Sequence, residues 1–549
     1  MSDSGVRRAP VEPGDAARAY NDRTKFRYEL DTGGNEEIVT GLPPDRLPAL
    51  GAQDPANEPR LFKIYRDLEP IPLASLPIEA SISALDALTA DGARASGVVI
   101  PDIDLLARIL QRSNGILKRG ISHRGKVVDY RAAGQTGARF HLELYLVTGD
   151  LPGLDAGVYH YAAHDHSLRR LRGGDYRAFV TEATGLEPAT VTAPAILVFT
   201  SEFWRNAWRY LDHTWRQVYW DMGTMVTNTL AMAASVELPA EIVCGFADGE
   251  IESLLGIDPA YELVAGLVTL GRTDTIASTA PPIDRIDHAV EPLSPAPSPR
   301  FPVIEAAHAG TSLVTGDAVR TWRAATEAAA PFPVTAPPDS PAIALRPSST
   351  SARSIEDVIE KRRSNRKYAE AIPVSFEDFS TVLTHAAGTP RLDVPFPPSD
   401  TYLIVNNIAE IEPGAYYFDR ENSAIHLLKV GNFRDAAKRL CVGQDYPAEA
   451  NLVAFGLADL EAIYRVYGDR GYRIALLEAA IFGGRMQLAA HALGLGAVGT
   501  GSPDDEVPLF FGPHASGKEW LFAAVFGIKC KPTARENAIL TSFLDGDRS

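Results

Sequence analysis

Residues 143–161 read ELYLVTGDLPGLDAGVYHY, and residues 400–418 read DTYLIVNNIAEIEPGAYYF. Both stretches contain an alternating apolar strand, a short loop and a glycine that starts a second alternating strand. Tyr145 in the first stretch corresponds to Tyr402 in the second, 257 positions later. Each stretch predicts a β-hairpin, and their similarity indicates that the chain contains the same unit twice.

The same spacing persists along the rest of each unit. The matched pairs are Gly157/Gly414, Tyr210/Tyr467, Arg216/Arg473 and Asp221/Glu478 at 257 positions, and Gly256/Gly512 and Gly271/Gly527 at 256. Helical apolar spacing predicts long helices at 216–234 and 473–493, and closing strands are predicted at 264–270 and 521–526. We therefore predict an α+β fold in which two tandem domains form an intramolecular pseudo-twofold dimer.

Composition limits the possible partners and the compartment. The chain of 549 residues has a formal net charge of −17, which disfavours nucleic-acid and anionic-membrane surfaces. Its three cysteines lack metal-ligand spacing, and neither an apolar signal segment nor an apolar run long enough to span a membrane is found. These features predict a soluble, cytoplasmic protein without a metal site.

Changes in composition and in apolar periodicity along the chain predict four segments. Dense proline between the two units favours an extended connector, with one helix near residues 319–329. The predicted segments are an N-terminal arm at 1–80, with one strand near 60–65, a first domain at 81–275, a proline-rich connector at 276–350 and a second domain at 351–549.

An arginine-rich element, Arg362-Arg363-Ser364-Asn365-Arg366, follows a predicted helix in the second unit. Arginine makes bidentate contacts with phosphate oxygens, and serine adds a short donor. The alternative interpretation is a solvated basic face at a helix end, which is the usual role of a charge run. The element therefore predicts an anion site only if other parts of the chain support one.

The arginine-rich element, the ELYL strand and the GVYHY hairpin together resemble the FMN-dependent nitroreductase superfamily. Residues 467–479, which read YGDRGYRIALLEA, are similar to its SagB/ThcOx branch, whose dehydrogenases oxidise azolines to azoles in ribosomally made peptides. In this family FMN lies between two subunits. One subunit holds the phosphate with the arginine-rich element, and the other contacts the flavin ring with a glycine-containing loop.

The resemblance implies that the phosphate element survives only in the second unit. There Arg362, Arg363, Ser364 and Arg366 are expected to hold the FMN phosphate. The alignment of the two units places residues 90–94, ADGAR, at the equivalent positions of the first unit, where a single arginine remains. An aspartate in that stretch would repel a phosphate.

The ring loop shows the opposite distribution. The first unit keeps it at residues 133–140, AGQTGARF, so Gln135, Thr136 and Gly137 are expected to contact the flavin, with glycine and glutamine where the family has proline and serine. The second unit has lost the loop, because Gly388 and Tyr402 are only 14 positions apart. Complementary losses of this kind leave one complete FMN site per chain.

The resemblance implies further cofactor contacts in the second unit. Lys529 and Lys531 follow the last strand, where the family places basic residues near the phosphate, although a solvated chain end is the alternative. Gly499, Thr500 and Gly501 match the loop beside the flavin pyrimidine. Residues 243–245, VCG, are their equivalents in the first unit.

The family's azoline dehydrogenases have a Lys-Tyr pair before the long helix. Here Arg209 and Tyr210 take these positions, and we expect Tyr210 to act as the acid–base residue. Arginine is a poor base, but it lowers the pKa of a neighbouring tyrosine or orients a peptide carbonyl. A packed aromatic residue at a helix start is the alternative for Tyr210.

Two other groups have simpler interpretations. His160, His164 and His166 lie on the predicted hairpin without a zinc-like spacing, and we expect a solvated hairpin and no metal. Four tryptophans surround the start of the long helix in the first unit, where core packing or an aromatic wall of the substrate cleft is expected. They are Trp204, Trp208, Trp215 and Trp220.

Three functions remain open. The first is an FMN-dependent dehydrogenase that oxidises azolines in a peptide, with dioxygen as final oxidant and with a cyclodehydratase as a partner that the resemblance allows. The second is an NAD(P)H-dependent nitro- or ene-type reductase. The third is a non-catalytic protein that binds a precursor peptide or a partner enzyme.

Overall fold

The computed structural model describes residues 12–30, 36–40, 54–75, 82–89, 97–121, 127–330, 332, 335–395 and 399–530. Lys531 and residues 90–94 lie outside these ranges. The N-terminal segment contains helix α1 (Asp15–Thr24), the hairpin β1 (Phe26–Leu30) and β2 (Glu36–Thr40), and strand β3 (Pro70–Pro72).

The first unit, half one, folds around a mixed core of helices and one sheet. Its elements are α2 (Ala84–Thr89), α3 (Ile103–Asn114), β4 (Ile116–Ile121), β5 (Val127–Arg131), β6 (Leu142–Thr148), β7 (Gly157–Ala162), β8 (Ser167–Gly173), α4 (Arg177–Ala183), α5 (Pro188–Val191), β9 (Ala195–Glu202), α6 (Trp204–Tyr210), α7 (Thr214–Ser235), β10 (Ala240–Val243), α8 (Asp248–Leu255) and β11 (Glu262–Leu270).

The connection and the second unit, half two, follow the same plan. The connection contains α9 (Pro302–Thr311), α10 (Gly316–Ala328) and β12 (Ala342–Ala344). Half two contains α11 (Ile355–Lys361), α12 (Phe376–Ala386), β13 (Asp400–Val405), β14 (Gly414–Asp419), β15 (Ala424–Val430), α13 (Arg434–Arg439), α14 (Tyr446–Glu449), β16 (Leu452–Ala458), α15 (Leu460–Tyr467), α16 (Gly471–Ala492), β17 (Gly496–Thr500), α17 (Glu506–Phe511) and β18 (Glu519–Gly527).

The two large sheets have the same topology. In the described part of the chain each has seven antiparallel strands, in the order β10-β11-β9-β6-β7-β8-β3 in half one and β17-β18-β16-β13-β14-β15-β12 in half two. The central strands are buried on both faces, because helices cover them. The predicted α+β class with two repeated halves is confirmed.

The buried helices α7 and α16 pack against each other at the centre of the molecule. A Cβ atom added to Gly223 would lie 2.5 Å from the Cβ atom of Ala480, and one added to Gly484 would lie 2.7 Å from the hydroxyl of Thr227. In both contacts a residue meets its own counterpart in the other half. Self-contacts of this kind mark a twofold axis between equivalent units.

Two reciprocal ion pairs reinforce the symmetry. Arg216 on α7 pairs with Asp504 of half two, and its counterpart Arg473 on α16 pairs with Asp248 of half one. All four side chains are buried. Helix α1 lies beside the first pair and α9 beside the second, so these two helices are also counterparts.

Most of the predicted elements are confirmed, and two expectations are wrong. The long helices and the closing strands lie within two residues of their predicted ends, and α10 corresponds to the helix predicted at 319–329. The strand predicted near 60–65 is absent from the described residues, where Tyr65 forms a single bridge with Val290. The connector was expected to hold one helix, and it contains two, α9 and α10, while most of its other described residues lie outside helices.

No described helix combines the length and the low polarity that a membrane crossing requires. The boundaries of the four predicted segments stay a prediction. The arm and the connector nevertheless contribute equivalent parts to the two halves, since β3 and β12 are edge strands of the two sheets.

Candidate functional site

A cavity of about 250 Å³ lies between the two halves, close to the central helices. Half one contributes the loop 134–137 and residues of α7 to its wall. Half two contributes Ser364 and Arg366 of the arginine-rich element and the end of β17 with Gly501, called the loop 499–501 below. The predicted residues that line the cavity are Gln135, Thr136, Gly137, Tyr210, Ser364, Arg366, Gly499, Thr500 and Gly501.

The ring loop of half one is attached to α7 by side-chain hydrogen bonds. Thr136 donates from its backbone N–H and its hydroxyl to the carboxylate of Asp221, over 2.8–2.9 Å. The buried His141 lies 2.9 Å from the same carboxylate through Nε2, and Thr224 donates to the Gly134 carbonyl over 2.6 Å. Thr136 and Gly134 are thus both bonded to α7, which fixes the loop at the cavity wall.

Gly137 allows the loop to pass close to Tyr210. Its φ of +58° lies in the left-handed region, which favours glycine. A Cβ atom at this position would lie only 2.6 Å from the Tyr210 hydroxyl oxygen. Glycine is therefore required here both by the backbone and by the neighbouring phenol.

The arginine-rich element begins where α11 ends. Ser354 caps the start of α11 by accepting from the Asp357 N–H, and the helix ends before Arg362. Ser364 then bridges Ala497 of β17 in parallel fashion. This bridge places the exposed Ser364 and Arg366 side chains at the cavity, beside the loop 499–501.

Arg362 crosses to the other half. Its guanidinium donates from Nε and Nη2 to the Ala132 carbonyl, over 3.3 and 3.2 Å. Its Nη1 is buried and has no hydrogen-bond partner among the described residues. Burial lowers the pKa of Arg362 to about 10, which leaves it charged at neutral pH. This nitrogen lies beside Gly134 of the ring loop. Arg362 and Arg363 are not among the described residues that line the cavity, in contrast to Ser364 and Arg366.

A group of cations surrounds the arginine-rich element. Burial lowers the pKa of Lys529, and Arg353 and Arg363 lower it further by like-charge repulsion. The pKa of Lys118, on strand β4 of half one, is lowered by burial and then by Arg363. The sequence analysis missed Lys118, although it lies in the stretch of half one that half two lacks. A bound anion would relieve this repulsion.

Tyr210 and Arg209 differ in position. Tyr210 lines the cavity, whereas Arg209 is exposed, with its guanidinium 5.5 Å from the centre of the Tyr210 ring. Burial raises the pKa of Tyr210, while Arg209 acts in the opposite direction. Burial outweighs the arginine, so the Tyr210 hydroxyl is protonated at neutral pH.

The equivalent region on the other side of the axis is filled. Asp393 accepts from the backbone N–H groups of Cys244 and Gly245, over 2.7 and 2.8 Å. A Cβ atom at Gly245 would lie 2.9 Å from the Trp322 ring and 2.9 Å from Asp393. Arg323 of α10 pairs with Asp393 over 3.2 Å. The loop 243–245 therefore faces protein side chains where the loop 499–501 faces the cavity.

The histidines of the hairpin lie away from the cavity, and one of the four tryptophans reaches it. The expected solvated hairpin is wrong for His160, which is buried and pairs with Glu143 in the core. His166 lies 2.9 Å from the Tyr161 hydroxyl. Among the four tryptophans, Trp220 lines the cavity. Phe26 and His213 also line it, and neither was singled out from the sequence. Their location follows from the packing of α1, which the sequence did not predict.

These residues fit FMN. The arginine-rich element offers Ser364 and Arg366 to a phosphate. Lys529 and Lys118 interact with Arg363 and add positive charge behind the cavity wall, since neither is among the lining residues. The orphaned Nη1 of Arg362 and the buried, unpartnered Oε1 of Gln135 match a ring system that has both acceptors and an N–H donor. Trp220 and Phe522 add apolar wall.

Both halves of the chain match the model of one protein family, and parts of the chain match known proteins. The model of the family described as the nitroreductase family matches residues 128–272 and 359–531, one region in each half. A protein of Methanocaldococcus jannaschii, named as a candidate nitroreductase, is 31% identical over 143 residues, which are 26% of this chain and 71% of that protein. The trifolitoxin-processing protein of Rhizobium leguminosarum bv. trifolii is 29% identical over 137 residues, which are 24% of this chain and 37% of that protein.

A solved structure shares the whole two-half fold. The crystal structure of a candidate nitroreductase from Anabaena variabilis superposes with a TM-score of 0.71 at 24% identity. The superposition covers 95% of this chain and 100% of that chain. This likeness concerns the fold alone.

Proposed function

The chain belongs to the nitroreductase family, whose members are oxidoreductases, and we propose that it binds one FMN in the cavity between its halves. One observation carries this proposal: the ring loop of half one and the arginine-rich element of half two line the same cavity. Ser364 and Arg366, with Arg363 and Lys529 nearby, would hold the phosphate. Gln135, Thr136 and Gly137 would contact the ring.

We propose that the reaction is the oxidation of an azoline to an azole in a ribosomally made peptide. The azoline ring loses two electrons and two hydrogens, one as a proton to a protein base and one as a hydride. FMN supplies the hydride acceptor when bound, and dioxygen is the final oxidant. The likeness to the trifolitoxin-processing protein supports a peptide substrate, although the match spans only 37% of that protein.

Tyr210 is the proposed acid–base residue. Its hydroxyl lies against Gly137 of the ring loop and faces the cavity. Because burial raises its pKa, Tyr210 takes up a substrate proton only in the small phenolate fraction. Arg209 favours this phenolate from the surface, at 5.5 Å from the ring centre. A peptide that carries azolines, and a cyclodehydratase that forms them, are the corresponding proposed partners.

A reductase is the second candidate. The M. jannaschii relative is named as a candidate nitroreductase, and reduction of a nitro or ene group would use the same cavity with NAD(P)H as electron donor. The two reactions differ in the direction of electron flow. An experiment that shows whether the azoline or NAD(P)H reduces the flavin therefore distinguishes the two reactions.

The test is the visible spectrum of the purified chain under anaerobic conditions. We expect a yellow protein whose flavin band bleaches on addition of a thiazoline peptide, without NAD(P)H. Rapid bleaching by NAD(P)H together with no response to the thiazoline would favour the reductase. A protein that stays colourless after incubation with FMN would contradict both and leave a non-catalytic binding role.

A further inference from the structure

His213 lies at the cavity with an unpaired nitrogen. It ends the short turn Leu211–His213 before α7, is 1% exposed and lines the cavity. Its Nδ1 lies 3.0 Å from the carbonyl oxygen of Thr24. A carbonyl only accepts, so Nδ1 carries the proton and Nε2 is an acceptor. Nε2 is buried and has no hydrogen-bond partner within the described ranges.

The imidazole stays neutral. Burial lowers the pKa of His213 to about 3, and the positive charge of Arg216 acts in the same direction. The Phe26 ring stacks on the imidazole with 4.0 Å between ring centres, and the Trp220 ring meets its edge at 5.6 Å. Phe26 is itself fixed by Asp504, because its N–H donates to the Asp504 carboxylate and its carbonyl accepts from the Asp504 N–H. The orientation of the acceptor is therefore set by its surroundings.

Comparison with half two shows why the acceptor is unpaired. Arg470 stands at the position equivalent to His213. It donates to the Thr311 carbonyl over 3.2 Å, to the Asp248 carboxylate over 2.7 Å and to the Cys244 carbonyl over 2.6 Å. Thr311 ends α9 as Thr24 ends α1, so the first of these bonds is kept by His213.

The other two bonds of Arg470 have no equivalent at His213. The counterpart of Cys244 is Thr500, which lines the cavity. A histidine side chain is too short to reach from the end of α1 to Thr500 in the loop 499–501. The exchange of arginine for histidine therefore opens space between α7 and β17, and it leaves an acceptor at the edge of this space.

We propose that His213 recognises the substrate by accepting, through Nε2, a hydrogen bond from an N–H or O–H group beside the ring that is oxidised. The choice of donor rests on the proposed function: in a peptide azoline, it is the backbone amide next to the ring. Ligands that carry this donor gain a hydrogen bond with the buried Nε2. Ligands without it leave Nε2 unpaired.

The test uses two azole amides that resemble the product and are not oxidised. They are 2-methylthiazole-4-carboxylic acid N-methylamide and its N,N-dimethylamide, which differ in a single N–H. Each is titrated into the FMN-loaded full chain, and binding is measured from the perturbation of the flavin absorption band. We expect the N-methylamide to bind about 5- to 100-fold more tightly, the worth of one buried hydrogen bond.

Three variants give the test its controls. His213→Phe should keep FMN and lose the preference between the two amides. His213→Gln, which keeps an acceptor oxygen, should retain part of it. His213→Arg should reproduce the contacts of Arg470 and prevent both amides from binding while FMN stays bound.

Several results would overturn the proposal. They are equal affinity of the wild type for both amides, no binding of either amide, a preference that persists in His213→Phe, or loss of FMN in both His213→Phe and His213→Gln. The last result would assign His213 to the cofactor. Bleaching of the flavin by the thiazoline peptide is measured separately. A preference for the N–H ligand without bleaching would contradict the azoline reaction but still support His213 as a hydrogen-bond acceptor.

Discussion

On one side of the pseudo-twofold axis the loop 499–501 borders a cavity, and on the other side the equivalent loop 243–245 is covered by Asp393 and Trp322. Both loops include the end of an edge strand, β17 or β10, in equivalent sheets. On the covered side, the backbone N–H groups of Cys244 and Gly245 already donate to Asp393. A protein carboxylate thus occupies the donors that a ligand would otherwise use.

The covered side also holds the halves together. Arg470 and Arg473 of half two both pair with the buried Asp248 of half one, and Arg323 pairs with Asp393. On the open side, Arg216 is the one arginine of the described residues that pairs with Asp504, and the N-terminal segment adds ion pairs of Lys25 and Arg27 with the partly exposed Asp505. After duplication of the unit, one interface kept space and unpaired polar groups for a ligand, while the other filled them with ion pairs and aromatic packing. The predictions below test this division of roles.

The largest effect is expected at the arginine-rich element. Arg363→Ala combined with Arg366→Ala should give a folded, colourless protein. Each charge-assisted contact with a phosphate contributes roughly 1.5–3 kcal/mol, so loss of two weakens FMN binding by about two to four orders of magnitude. The measurement is flavin retained through gel filtration.

The matched control is Arg391→Ala, an exposed arginine beside the edge strand β10 on the covered side. It should keep full flavin. If Arg363→Ala/Arg366→Ala also keeps its flavin, these arginines form a solvated basic face, and the comparison of the two sides loses its main support.

The next effect concerns the two equivalent tyrosines. Tyr210→Phe should retain FMN and lower the single-turnover rate of flavin bleaching by ~10²–10⁴-fold, the usual contribution of a general base. Tyr467 donates to the Pro395 carbonyl on the covered side, so Tyr467→Phe should leave the rate nearly unchanged. The reverse pattern would exchange the roles of the two halves. If neither variant changed the rate of flavin bleaching, Tyr210 would not be the acid–base residue.

The pH dependence should follow the phenolate fraction of Tyr210. Burial raises the pKa of Tyr210 above its ordinary value of about 10. Below that pKa the phenolate fraction grows about tenfold per pH unit, so the single-turnover rate should rise with this slope between about pH 7 and 9. Tyr210→Phe should flatten the profile. A rate that falls as pH rises would mean that Tyr210 donates a proton in the step.

A smaller effect is expected on the covered side. Trp322 packs near Gly245 and donates from Nε1 to the Tyr467 carbonyl over 2.9 Å. Trp322→Ala should lower the free energy of unfolding by about 1–3 kcal/mol and leave flavin content unchanged. Val314→Ala, at an apolar side chain that is 79% exposed, is the control without effect. Loss of flavin in Trp322→Ala would show that the covered side contributes to the cofactor site.

Sequence patterns predicted the parts of the fold that rest on strict periodicity. The repeated hairpins and the long helices were found because apolar spacing and matched residues such as Tyr145 and Tyr402 survive in both halves. The equivalence of α1 and α9 was missed because they share only an alanine and a threonine at matched positions. These helices are specified by tertiary contacts with Arg216 and Arg473, which a single sequence does not reveal.

The candidate site was predictable to a similar extent. Motifs located the ring loop and the arginine-rich element, and both line the cavity. His213 was not recognisable, because its importance depends on the missing partner of Nε2 and on the contrast with Arg470. Lys118 was missed because it lies far along the chain from the arginines that it approaches.

The smallest effect is a factor of two in flavin content. An intact symmetric pair would bind two FMN molecules per chain, whereas we expect one, because Asp393, Trp322 and Arg323 occupy the equivalent region. The measurement is FMN released by heat, divided by the protein concentration from amino-acid analysis, after incubation of the chain with excess FMN and removal of the unbound cofactor. Arg363→Ala/Arg366→Ala should lower the ratio from one to zero, since no second site remains to hold flavin. A ratio of two in the wild type, falling to one in that variant, would mean that a second site binds FMN despite the covered loop, and that the two halves have not divided their roles.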